Sequence, residues 1–280
     1  MGAASGESLK EIGEVYSIVV LTTQVYVGAA TGLYFSNDFG QTWEKRETDA
    51  EPRVVLPSRY PRADATLFVG TPDGLLKSKD AGREFDATPI VATPVYRMEW
   101  PGPALVVATG NGIEFSMDSG ESFAPRGEGL AGGAVSAMAL SSFFAVDPVL
   151  FVGVGDAGVM RSSDGGGSWA HAGLEGKHVF DLVWLGPLLY AATDAGLFRT
   201  QDLGRNWVEL GKGLEERQIR RILFPLAPDS GAELFVATDS GVYRSLDGGV
   251  RFFPAGLAEH SVNLVATFPP PQPLPEIPDR

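Results

Sequence analysis

The octet "SSDGGGSW", residues 162–169, places three consecutive glycines after a lone aspartate and closes on a tryptophan. A phosphate-cradling loop, a calcium loop and a tight turn all use such residues. A Walker-type loop ends in Gly-Lys-Ser/Thr, and the octet does not. An EF-hand loop alternates oxygen ligands up to a terminal glutamate, which is also missing. The turn remains, and repetition supports it. The octet recurs as SNDFGQTW (36–43), SKDAGREF (78–85), SMDSGESF (116–123), TQDLGRNW (200–207) and SLDGGVRF (245–252). Its aspartates, Asp38, Asp80, Asp118, Asp164, Asp202 and Asp247, are spaced 42, 38, 46, 38 and 45 residues apart.

The periodicity reaches upstream. A glycine sits six residues before each aspartate, at Gly32, Gly74, Gly112, Gly158, Gly196 and Gly241. Each follows a short apolar β-prone run such as LFVGT or LYAAT, and a further apolar run such as VYRMEW or VFDLVW comes earlier. Each unit therefore reads as four short strands, with the glycine in the turn before the third and the octet in the turn before the fourth. Tandem four-stranded units of this length are the mark of a β-propeller. A single blade cannot bury both faces of its sheet, so neighbours must stack around a ring. The expected fold is all-β, a single propeller of about six four-stranded blades, with seven as the alternative. The expected divisions are an N-terminal extension (1–13), the propeller (14–268) and a proline-rich tail (269–280). The run SVNLVATF (261–268) reads as a surplus innermost strand.

The frame S-x-D-x-G-x-[TS]-[WF] resembles the Asp-box, or BNR, repeat of sialidases, related glycosidases, sortilin-type receptors and the photosystem II assembly-factor family. Glu84 and Arg251 depart from it, standing where the frame has a small hydroxyl residue. The physics of the octet is that of a bend. The aspartate accepts hydrogen bonds from N–H groups without ladder partners. The glycine adopts a conformation a Cβ would penalise, and the aromatic packs beneath. Six equivalent copies with variable neighbours suit a scaffold better than chemistry. In families with this repeat, sites usually lie on the opposite rim and at the channel mouth, which is what the resemblance implies here.

Composition narrows the function. The 280 residues are 44% hydrophobic, enough for a sizeable core, and 22 basic against 35 acidic residues leave a formal charge of −13. Such a surface repels phosphate backbones, so nucleic acid is not an expected partner. No membrane insertion is expected either. The chain contains no cysteine, which removes thiolate metal sites and nucleophiles; no metal or cofactor is expected. The sequence as written points to the cytoplasm, or to the periplasm or exterior if a leader has been removed.

A sialidase would need an arginine triad, a tyrosine nucleophile with its glutamate and an aspartate acid/base. The first strand, EVYSIVVL, carries no arginine. Lys77, Arg161, Arg199 and Arg244 all sit three residues after a repeat glycine, which suggests snorkelling between blades. Asp73, Asp156, Asp194 and Asp239 lie beside glycines, where turn formation explains them. No catalytic residue is assigned. Arg97, Glu99, Asp181, Arg220 and Arg221 interrupt otherwise apolar innermost strands. Buried charges require pairing or water, so these residues either link neighbouring blades or line a channel that takes an anionic or polar ligand. The expected function is a non-catalytic protein-interaction scaffold of assembly-factor type. The alternatives are a carbohydrate-active or glycan-binding protein and an accessory subunit of a larger complex.

Overall fold

In the computed structural model the described residues are 12–21, 24–61, 63–86, 90–127, 129–130, 133–215, 217–225, 232–257 and 260–263. The expected proline-rich tail, nearly all of the N-terminal extension and residues 264–268 of the surplus strand lie outside them. The described residues form six antiparallel sheets in chain order, one per repeat, with no α-helix among them. The protein is a six-bladed propeller.

Blade 1 sets the plan: Val15–Leu21 innermost, then Gln24–Ala29, Gly32–Ser36 and Glu44–Arg46 toward the edge. The innermost strands of blades 2 to 6 are Val54–Pro57, Val95–Glu99, Val135–Leu140, Val179–Leu185 and Ile219–Leu223. Among the described residues blade 2 has three regular strands, and its fourth edge is represented by Asp86 N–H donating to Lys77 O at 2.9 Å rather than by a continuous ladder. Val91 makes a single bridge to Leu75.

Two rims follow from the strand order. On one, the octets lie beside the loops between first and second strands: the N–H groups of Ala81, Gly165 and Gly248 donate to the carbonyls of Ala65, Pro148 and Ala232. On the other, the interblade links lie beside the second-to-third turns, as where Val95 N–H donates to Thr71 O.

The core lies between blades. Five apolar clusters each span one neighbouring pair, from blades 1 and 2 to blades 5 and 6. Phe68, Phe151 and Tyr190 on second strands are fully enclosed, each stabilising by about 1.5–3 kcal/mol. A sixth cluster, of Val25, Val27, Ala29 and Tyr34, belongs to blade 1 alone. Between blades 6 and 1 stand Val262 and Asn263. Val262 N–H donates to Thr238 O at 2.9 Å, repeating the step by which Val95 enters blade 3. The Asn263 side chain accepts from Arg220 at 2.9 Å and donates to Glu14. The surplus segment thus enters the interval between the first and last blades.

Candidate functional site: the channel mouth

The octets come first, because their geometry decides where function can lie. In every copy the Ser/Thr hydroxyl donates to the aspartate and accepts from the N–H of the octet glycine, as in Ser162 to Asp164 at 2.7 Å and Gly166 to Ser162 at 2.8 Å. The aspartate also accepts the N–H four residues on, at 2.9–3.0 Å across the six copies. Its second oxygen takes a hydroxyl from Thr42, Ser122 or Ser168, and the Asn206 amide fills the same place. These bonds to the charged form hold Asp38, Asp164 and Asp202 down at about 2 and Asp118 lower still. Asp80 and Asp247 are lowered as well, chiefly by the backbone N–H of Glu84 and Arg251 respectively; those two side chains supply no donor to them.

The turn backbone is more strained than its sequence suggests. The residue before the octet glycine is left-handed even where it has a Cβ, with φ of 58° at Phe39, 62° at Ala81, 61° at Ser119 and 60° at Leu203.

The octet also fastens blade to blade, which the sequence did not disclose. Lys77 Nζ donates to Gly120 O at 3.1 Å in the next blade's octet and pairs with Glu121 at 2.8 Å. Arg199 and Tyr190 of blade 5 reach Gly248 O in the octet of blade 6. Trp207 Nε1 donates back to Ala172 O of blade 4 at 2.6 Å. The snorkelling expectation is thus met by Lys77 and Arg199. Arg244 departs from it: its guanidinium pairs with Glu233 of its own blade at 2.6 Å.

The unusual charges meet at the other rim. Five innermost strands carry a bulge at their second residue, between Val15 and Ser17, Val95 and Arg97, Val135 and Ala137, Val179 and Asp181, and Ile219 and Arg221. A bulge sets two residues against one and re-aims their side chains. In blades 3, 5 and 6 the result is a buried residue, two half-buried ones, then a buried one. Tyr96–Arg97, Phe180–Asp181 and Arg220–Arg221 therefore share the channel side, near the strand starts and so near the link rim.

Asp181 is the hub. Its Oδ1 lies 3.7 Å from Arg97 and 3.8 Å from Arg221, and its Oδ2 accepts Ile222 N–H at 2.9 Å. The carbonyl of Phe180 accepts from Arg97 at 2.9 Å and from Arg221 at 3.3 Å. Arg221–Asp181 links neighbouring blades, whereas Arg97–Asp181 passes over blade 4 across the mouth. Burial raises Asp181 to about 6 against the pull of Arg97. Burial likewise raises Glu99, further along its strand, to about 7, with Arg97 opposing and Asp181 adding to the rise. Arg220 is bound less fully. One nitrogen donates to Asn263, while its buried Nε has no partner among the described residues. Tyr96, Arg97, Ser136, Phe180, Arg220, Arg221 and Asn263 line an open cavity of about 220 Å³.

Other features are more dispersed. Asp73, Asp156, Asp194 and Asp239 fall on four different blades, and Asp194 accepts the N–H of His178 at 3.0 Å. A cavity of about 520 Å³ lies on the link after blade 5 among Asp194, Glu209, Lys212, Glu215 and Arg217. On the octet rim Tyr60, Met117, Phe143 and Val146 are well exposed. Among the described residues, no group of three or more acidic or histidine side chains is arranged to hold a metal.

The BNR/Asp-box repeat family matches residues 34–45, the first octet and its flanks. The chain is a β-propeller that carries a BNR/Asp-box repeat. This Asp-box propeller matches no curated protein sequence, but its fold is shared. YCF48 from Cyanidioschyzon merolae superposes with a TM-score of 0.68 at 15% identity, over 92% of this chain and 89% of that one. A structure of YCF48 bound to D1 peptide gives 0.59 at 18% identity, over 81% and 76%. An ancestral GH74 enzyme gives 0.67 at 18% identity over 90% of this chain, which spans only 39% of that enzyme. At these identities the likeness is one of fold.

Proposed function

We propose that this propeller is a non-catalytic scaffold of assembly-factor type, which seats an acidic group of a partner polypeptide in the channel mouth. The observation that carries this reading is the Arg220 guanidinium, with its buried, unpartnered Nε beside a cavity that Arg97 and Arg221 also line. On a chain of formal charge −13, three arginines at one opening attract a carboxylate. Size favours a peptide group over a sugar chain: about 220 Å³ falls below the ~300–1,000 Å³ of pockets that enclose whole small molecules, yet admits a side-chain or terminal carboxylate. Rigid stacked blades lose little freedom on binding. The YCF48 likeness lends support, since that protein has been captured with a bound peptide.

A charge-assisted hydrogen bond contributes about 1.5–3 kcal/mol, or roughly 10- to 150-fold in affinity. The test is an array of short acidic peptides, internal or ending in a free carboxylate, probed with wild type and Arg220→Ala. Retention should fall at least tenfold in the variant while the melting temperature holds. Retention indifferent to Arg220→Ala would end the proposal. Hydrolysis of oligosaccharides that Glu99→Gln abolishes would transfer the protein to the carbohydrate-active alternative.

A further inference from the structure

Blade 5 and blade 6 present the same cross-strand stripe with opposite fates. On blade 5, Tyr190, Arg199 and Val208 are register partners on one face. On blade 6 the partners are Phe235, Arg244 and Phe253. The blade 5 stripe receives the octet 245–252: Tyr190 is 2% exposed, and it and Arg199 both donate to Gly248 O. Blade 2 does likewise with Lys77, whose side chain is only 3% exposed beneath the octet of blade 3.

The blade 6 stripe receives nothing from the described residues. The Arg244 side chain is 48% exposed and Phe253 is 62% exposed. Phe235 is half-buried, although its counterparts Tyr26, Phe68, Phe151 and Tyr190 are all enclosed. The three line a cavity of about 390 Å³. No apolar cluster joins this face to blade 1. On the first octet, the three atoms nearest to a Cβ on Gly40 all belong to Trp43 of its own turn.

We propose that this face of blade 6 is a docking site for a β-hairpin of a partner polypeptide that carries an Asp-box turn of its own. The face offers what the seated octets use elsewhere in the ring. It has an aromatic floor that a glycine without Cβ can approach, and a guanidinium over that ring at 5.7 Å, free to turn from Glu233 to a turn carbonyl. Residues 264–280 contain no further octet and are proline-rich, so they do not supply one. A second copy of this chain would bring its first octet with blade 2 attached, a bulkier occupant than one hairpin. This surface is separate from the channel mouth and stands or falls without it.

The probe is a peptide copying residues 241–256, the hairpin that seats on blade 5, closed by a disulfide between added terminal cysteines because isolated hairpins are marginal in water. It is titrated into the full chain, and hydrogen exchange locates its footprint. Saturable binding with slowed exchange confined to 234–256 of the protein is expected. Arg244→Glu should weaken it at least tenfold at unchanged melting temperature, and a peptide with leucine at both Gly248 and Gly249 should not bind. Arg220→Ala should leave it unchanged. No saturation at millimolar peptide, or equal binding by Arg244→Glu, overturns the proposal. A dimer of the chain that Arg244→Glu disperses also overturns it, by making a second copy the occupant.

Discussion

Gly120→Ala tests whether the octets clasp neighbouring blades or merely bend their own. Gly120 has φ of 80°, and a Cβ there would stand 2.4 Å from two ring carbons of Phe68 in blade 2. Two costs add. A left-handed alanine costs about 1–2 kcal/mol, and forcing a methyl against a fully packed ring costs about 1–3 kcal/mol. The stiffer unfolded chain returns about 0.4–1 kcal/mol, leaving a net loss of about 3 kcal/mol. For a chain of this size that lowers the melting point by roughly 6–12 °C. Gly176 is the control, because its φ is 73° and nothing lies within 4 Å of its Cβ position. Gly176→Ala should lose only the backbone part, about 0.5–1 kcal/mol. Urea denaturation of both variants gives the comparison. Equal losses would refute the clasp, since the glycine would then matter only for its own dihedral angles.

Other outcomes follow from the same geometry. Leu203→Gly removes a left-handed side chain at φ of 60° and should be neutral or stabilising by up to about 1 kcal/mol in thermal melts; a clear loss would mean Leu203 packs usefully. Because Asp38, Asp164 and Asp202 are held near 2 when folded, the stability they contribute is present above about pH 4 and lost as pH falls toward 2. Acid titration of Asp164→Asn should accordingly show a shallower decline in that window than wild type. Glu99 has the opposite sign, since its raised value near 7 favours the fold at low pH and costs stability as pH rises. Relative to wild type, Glu99→Gln should gain about 2–3 kcal/mol between pH 5 and pH 8 by denaturation, and a flat difference would remove Glu99 from the buried channel. As Glu99 and then Asp181 take up protons, Arg97, Arg220 and Arg221 lose their opposing charge, so acidic peptides should bind more tightly at pH 6 than at pH 8.

What the sequence disclosed depends on how far apart the interacting residues lie. Each octet closes its bonds within a few residues, so Ser162, Asp164 and Ser168 announce the turn in one line of text. The clasp joins residues one repeat apart, such as Lys77 with Gly120 and Arg199 with Gly248, and a single octet holds no trace of its receiver. Arg97, Asp181 and Arg221 stood out because charge in an apolar strand is costly, but their convergence depends on the bulges. Those bulges do leave a signal: paired non-core residues at Tyr96–Arg97, Phe180–Asp181 and Arg220–Arg221 break the period of two at the same point in three units. In blade 2 the described residues keep the start and end of the fourth-strand pairing, Asp86 with Lys77 and Ile90–Val91 with Leu75, as the repeat predicts. The interval between blades 6 and 1 was visible only as a surplus apolar run, since closure depends on the accumulated angle of six blades.

The division of labour between rims is tested most directly by affinity capture from the native host, with partners quantified by mass spectrometry for wild type, Asp164→Asn and Arg220→Ala. Asp164→Asn should melt lower and retain the wild-type partner. Arg220→Ala should melt as wild type and lose it. Full retention by Arg220→Ala, or loss of the partner by Asp164→Asn at an unchanged melting temperature, would contradict the account.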